Sequence, residues 1–102
     1  MRIAARLERA AAKDQRRFAR HPVSLSAGLA AGDRPSSPVT VIDLSTHGCG
    51  IEIASHVGEG DRVWLALPGL ENWGGRVAWA QDGRAGIGFD RPLHQGVVDR
   101  YR

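Results

Sequence analysis

The chain has 102 residues, of which 42% are hydrophobic and 25% charged, with a formal net charge of +3, the balance of a soluble globular chain large enough for one domain and a single core. No apolar run approaches the roughly 20 residues that span a bilayer, and Arg2, Arg6, Glu8 and Arg9 interrupt any secretory core at the start of the chain. A lone cysteine, Cys49, excludes an intrachain disulfide and a cysteine-based zinc cluster, so the expected compartment is the cytoplasm.

The charge is uneven along the chain. Residues 1–20 hold Arg2, Arg6, Arg9, Lys13, Arg16, Arg17 and Arg20 against Glu8 and Asp14, a net of +5, whereas the remainder is net −2. A positive arm on a slightly acidic body suits an anionic ligand or partner approached by that arm. Within the arm, residues 1–15 are Ala-rich and free of Gly and Pro, with Ile3, Leu7, Ala10 and Ala11 on one side, which predicts a helix. Its apolar face is thin and its charges repel, so a mobile extension is expected unless it docks.

From residue 23 the pattern changes to short strands separated by turns. Strands are expected over 23–30, 39–42, 48–53, 63–67, 73–80 and 85–89, from apolar alternation such as Val63, Leu65 and Leu67 against Trp64 and Ala66. Gln81-Asp82-Gly83-Arg84 reads as a hairpin turn between the last two. Six short antiparallel strands at this spacing predict a mainly β fold that closes into a small barrel. The tail over 93–102 is expected to form a short helix at one end, weakened by Gly96. The organisation expected is a basic helical extension over 1–15, a barrel domain over 16–92 and a helical tail over 93–102. Trp64, Trp73 and Trp79 are expected to pack against the barrel or its helix, and Cys49 to be a small packed side chain.

Two segments carry chemistry. Arg16-Arg17-Phe18-Ala19-Arg20 offers guanidinium forks that fit phosphate oxygens or the guanine O6/N7 edge. Asp43-Leu44-Ser45-Thr46-His47-Gly48, an Asp-x-Ser-x-x-Gly turn after an apolar strand, offers a carboxylate and a hydroxyl for base or sugar edges. Its glycine permits close backbone approach or a positive φ. Taken alone, Asp43-Leu44-Ser45 also fits a simple Asx-type turn between strands. The two segments in this order, followed by the strands Gly74-Gly75-Arg76-Val77-Ala78-Trp79 and Gly86-Ile87-Gly88-Phe89, resemble the PilZ domain family.

That resemblance implies a six-stranded antiparallel PilZ-type barrel with an arginine-bearing N-terminal segment and a short C-terminal helix. It also implies a ligand, the bacterial second messenger cyclic di-GMP. By the same resemblance Arg16 and Arg20 hold guanine or phosphate and Arg17 adds a phosphate contact. Asp43 accepts from the guanine N1–H and N2–H₂ edge, Ser45 offers its hydroxyl, and Gly48 lets the backbone approach. No phosphate-loop motif, nucleophile turn or cluster of metal ligands accompanies these residues, so binding without turnover is expected, with no cofactor and no catalytic or metal-binding residue. The expected function is a cyclic di-GMP receptor that signals to a separate protein through ordering of the arm, in motility or biofilm regulation, with neither DNA or RNA binding nor membrane insertion. The alternative is a PilZ-type interaction module of pilus or motility machinery that needs no nucleotide. A small barrel binding single-stranded nucleic acid is the third reading, disfavoured by the few basic residues on the barrel.

Overall fold

A strand whose alternate side chains are apolar buries one face, and several such strands can close on themselves around those faces. The computed structural model, which describes residues 19–53 and 57–102, has this closed form. The described residues form six strands, β1 (His21–Ala31), β2 (Ser37–Leu44), β3 (Gly48–Ile53), β4 (Arg62–Leu67), β5 (Leu70–Gln81) and β6 (Arg84–Phe89), and one helix, α1 (Gln95–Tyr101). Every pairing is antiparallel, in the order β1-β2-β3-β6-β5-β4, and β4 pairs back onto β1. The expected mainly β, six-stranded barrel with a short C-terminal helix is therefore present. The helix expected over 1–15, together with Arg16 and Arg17, lies outside the described residues.

The strands run somewhat further than the sequence pattern predicts. β5 begins at Leu70, which pairs with Leu67 across Pro68-Gly69. Gly69 has φ +79°, so proline followed by a left-handed glycine makes a type II turn of two central residues. The β5–β6 hairpin turns at Asp82 (φ +54°) and Gly83 (φ +76°), the signature of a type I′ turn, as Asp-Gly between two apolar runs predicts.

Val41, Leu44, Cys49, Ile51, Val63 and Leu65 are fully buried inside the barrel. Leu93 and Val98 close one end, both buried. A helix of seven residues is too short to persist alone, so α1 depends on this docking. It is tied down by the Tyr101 hydroxyl, which donates to the Pro68 carbonyl, and by the Leu93 N–H, which donates to the Thr46 carbonyl at 2.7 Å. The Gly96 N–H donates to Nδ1 of the N-cap His94 at 3.0 Å, so the glycine expected to weaken the helix takes part in its cap. No described helix is long and apolar enough to cross a membrane.

Candidate functional site

Strict alternation from the buried Val41 would turn Asp43 into the core. A β-bulge between Val41 and Asp43 adds one residue to β2, so Asp43 faces outward opposite Gly50 of β3, while Leu44 returns inward opposite Cys49. At the start of β1, Pro22 pairs with Asp43, which brings the preceding Arg20 over the same outer face. Arg20 Nη2 donates to Asp43 Oδ2 at 2.7 Å, and the Gly50 N–H donates to Asp43 Oδ1 at 2.9 Å. The side chains of Arg20 and Asp43 remain 35% and 22% exposed, so a ligand in water can reach the pair. A pair this exposed contributes at most about 1 kcal/mol to stability.

Gly50 is a member of this site that the sequence pattern does not mark. A Cβ there would sit 2.6 Å from Asp43 Oδ2 and 3.1 Å from Asp43 Cγ, so the carboxylate occupies the space a side chain would need. Only an unreadable register, Asp43 opposite Gly50, gives this away.

Ser45 is 1% exposed and its hydroxyl lies within the turn. Its Oγ accepts from the Gly48 N–H at 3.1 Å and the His47 N–H at 3.2 Å, and donates to the Gly48 carbonyl at 3.3 Å. The Ser45 N–H donates to that carbonyl as well, at 2.9 Å. The hydroxyl expected to face a ligand thus bonds the backbone, because the amides it satisfies, buried at Gly48 and part-buried at His47, have no other acceptor in the turn's hydrogen bonds described above. Gly48 pairs with Gly88 of β6, and a Cβ on it would collide with the Ile87 carbonyl oxygen. Close approach of two strands, and not a left-handed φ, is what Gly48 provides here. The far side of the turn is fastened to β6 by the Phe89 N–H donating to the His47 carbonyl at 2.9 Å.

Behind the turn, Cys49 points into the core. Burial, and secondarily the negative charge of Asp43, push its thiol well above the ordinary cysteine range, so it is a neutral packed side chain. The tryptophans divide differently from expectation. Trp73 packs against the core, with its Nε1 donating to the Arg91 carbonyl at 2.9 Å and the Arg91 guanidinium 4.9 Å from its ring. Trp64 and Trp79 lie on the outer face, Trp64 opposite Gly74 and 5.5 Å from the Arg62 guanidinium, Trp79 over Gly86. The structure thus brings together Arg20, Asp43, Ser45 and Gly48 of the expected site and adds Gly50.

The family model described as PilZ domain matches residues 14–100, a span that includes both the arginine segment and the Asp43–Gly48 turn. The fold is similar to the PilZ domain of CeSA from a cellulose-synthesizing bacterium, with 18% identity and a TM-score of 0.58 over 70% of this chain and 79% of that one. It is also similar to the Bacillus subtilis inhibitor of motility MotI/DgrA, with 10% identity and a TM-score of 0.63. That second match covers 82% of this chain and 46% of the other, so this chain spans less than half of that protein's length. None of the curated proteins matches the chain. Identities this low speak for the fold alone, and the family assignment rests on the match over residues 14–100: this chain belongs to the PilZ domain family.

Proposed function

We propose that this protein is a cyclic di-GMP receptor, with the dinucleotide held between Arg16, Arg17 and Arg20 on one side and the Asp43–Gly48 turn on the other. The observation that carries the reading is the carboxylate of Asp43, fixed through one oxygen by the Gly50 N–H and presented through the other to Arg20 on the outer face. A fixed carboxylate accepts the paired N1–H and N2–H₂ donors of guanine, and a guanidinium with five N–H donors can serve phosphate oxygens or the guanine O6/N7 edge. Rearranging an exposed ion pair to admit a ligand costs little. In this reading Arg20 and Asp43 touch the nucleotide, Arg16 and Arg17 add cationic contacts, and Ser45 and Gly48 act by holding the turn in shape. The activity is binding and not turnover, in keeping with PilZ membership.

Signalling follows from charge. Two phosphates held at the turn offset the positive charge of the arginine segment and draw it across the barrel, which presents a composite surface to a separate protein partner. Motility control or polysaccharide output are the processes such a receptor serves.

Isothermal titration with cyclic di-GMP, cyclic di-AMP and GMP tests the binding step. Preference for cyclic di-GMP is expected, because adenine presents a different edge and GMP lacks the second base and phosphate. Equal affinity for all three would reduce the site to a generic anion trap. An absence of binding would leave the nucleotide-independent interaction module. Amide hydrogen exchange tests the second step: protection should rise over 14–22 and 43–48 on adding nucleotide, and unchanged protection there would remove the ordering mechanism.

A further inference from the structure

The receptor reading above, on which this inference rests, requires a face where a separate protein docks. The outer side of β4 and β5 carries two cross-strand rows. Arg62 on β4 stands directly opposite Arg76 on β5, and the next outward pair is Trp64 opposite Gly74. The buried Val63, Leu65 and Val77 alternate with these positions and so turn both rows outward.

Like charges directly opposed across two strands are destabilising, and the fold compensates only one of these two. Arg62 Nη1 donates to Asp90 Oδ2 at 2.6 Å, and the same guanidinium lies 5.5 Å from the centre of the Trp64 ring. Arg76 Nη1 donates to the Gly60 carbonyl at 3.2 Å, but Arg76 forms no ion pair among the described residues. Asp61, in the adjoining loop, gives its carboxylate to the Gly58 N–H at 2.8 Å instead. Gly74 leaves a hollow beside the pair. A Cβ there would stand 3.0 Å from Asp90 Oδ2 and 3.6 Å from Trp64 Nε1, so a carboxylate and an indole border bare backbone. The Arg62 and Asp90 side chains are 42% and 36% exposed, which lets a partner reach them without opening the barrel.

We propose that this face docks an acidic segment of a partner protein, with one carboxylate seated between the Arg62 and Arg76 guanidinia and a neighbouring apolar side chain against Trp64 and the Gly74 hollow. Opposed positions have Cβ atoms about 5 Å apart, so both forks reach the two oxygens of a single carboxylate. Tryptophan and arginine carry much of the binding energy at protein interfaces. Arg62, already held between Asp90 and the indole, loses little freedom on docking. A protein carboxylate suits the face better than a nucleic-acid backbone, because Asp90 sits within it and the chain beyond residue 20 is net −2. Arg76 is opposite Gly88 of β6, and Gly88 is opposite Gly48, so the docked segment lies two strands from the Asp43–Gly48 turn. A partner there touches the edge of a nucleotide held at the turn.

Heteronuclear NMR of the full chain tests this with a short synthetic peptide of the repeat Glu-Glu-Leu-Ser and a control peptide of Gln-Gln-Leu-Ser. The acidic peptide should shift the Trp64 indole N–H resonance, assigned from a Trp64→Phe chain. It should leave in place that of Trp73, which already donates to the Arg91 carbonyl, and the control peptide should shift neither. An Arg62→Gln/Arg76→Gln chain should bind the acidic peptide at least about tenfold more weakly and cyclic di-GMP as tightly as the parent. An unmoved Trp64 resonance, or undiminished peptide binding in the double variant, overturns the docking face while the receptor reading stands if cyclic di-GMP still binds. So does a single-stranded oligonucleotide that moves Trp64 at lower concentration than the peptide, or a loss of cyclic di-GMP affinity in the double variant. Specific peptide binding by a chain that takes up no cyclic di-GMP keeps the face and removes the receptor.

Discussion

Gly48 and Gly50 lie two residues apart on β3, yet the same change at each should damage different properties. In Gly48→Ala the new methyl meets the Ile87 carbonyl, a main-chain atom of β6 held in the sheet. Backbone cannot swing aside, so β3 and β6 must separate locally, an overpacking cost of about 2–3 kcal/mol. For a domain of this size each kcal/mol moves the Tm by roughly 4–8 °C, which gives a fall on the order of 10–20 °C. In Gly50→Ala the obstacle at 2.6 Å is Asp43 Oδ2, the end of a partly exposed side chain that can rotate away. Stability should then fall by only about 1 kcal/mol, the net value of the hydrogen bond from the Gly50 N–H. Binding should suffer more, because the carboxylate leaves the position from which it reads guanine in the proposed site. Charge-assisted hydrogen bonds are worth roughly 1.5–3 kcal/mol, so the affinity for cyclic di-GMP should drop about tenfold to a hundredfold. Thermal melts and calorimetric titrations on the two variants separate the effects. A Gly48→Ala chain melting with the parent would refute the close approach of β3 to β6. A Gly50→Ala chain binding as tightly as the parent would refute the idea that the ligand uses Asp43 where it stands.

Arg20→Ala should lose most of the nucleotide affinity while the Tm hardly moves, since an exposed ion pair adds at most about 1 kcal/mol; a melt lowered as far as that of Gly48→Ala would make Arg20 structural. Ser45→Ala should cost about 1–3 kcal/mol in urea unfolding, because it strips the acceptor from the buried Gly48 amide and the part-buried His47 amide, and an unchanged midpoint would place that hydroxyl outside the turn. Cys49 should be inert to a thiol-disulfide reagent at pH 8 in the folded chain and reactive in denaturant, as its raised pKa and burial require; fast labelling of the native protein would contradict its inward orientation. Affinity for cyclic di-GMP should decline as salt is raised, and salt-independent binding would argue against phosphate contacts by exposed arginines.

The strands were legible because each buries one face and stops at a turn that glycine, proline or Asp-Gly marks. Where the structure departs from that pattern, a pairing between strands overrides it. Val77 and Trp79 look like successive inward residues of one strand, and only the bulge at Ala78, created by the register against Ile87 and Gly86, puts the indole outside. The same holds for Asp43. The motif announced its chemistry, but its orientation depends on an extra residue at Ile42 that no alternation rule would supply. Ser45 was legible as a turn residue, but not the partners its hydroxyl takes within the turn, because a hydroxyl can bond backbone or ligand alike and only the folded turn shows which amides it meets. Gly50 was silent, since a glycine in a strand does not say what fills the space above it.

Closure of the barrel bears on the time course of folding. Gly28 of β1 pairs with Ala66 of β4, and Gly48 of β3 with Gly88 of β6, so two of the six seams join segments about 40 residues apart. Such distant pairings make a small β domain a slow folder, in the millisecond-to-second range, with the local hairpins free to form first. The turn from Ser45 to Gly48 belongs to a local hairpin by sequence, yet its outer carbonyls are held by the amides of Phe89 and Leu93. It therefore acquires its final shape only when the last strand and the start of the tail have docked. During synthesis from the N-terminus, the residues proposed to read the nucleotide are made early and become competent late.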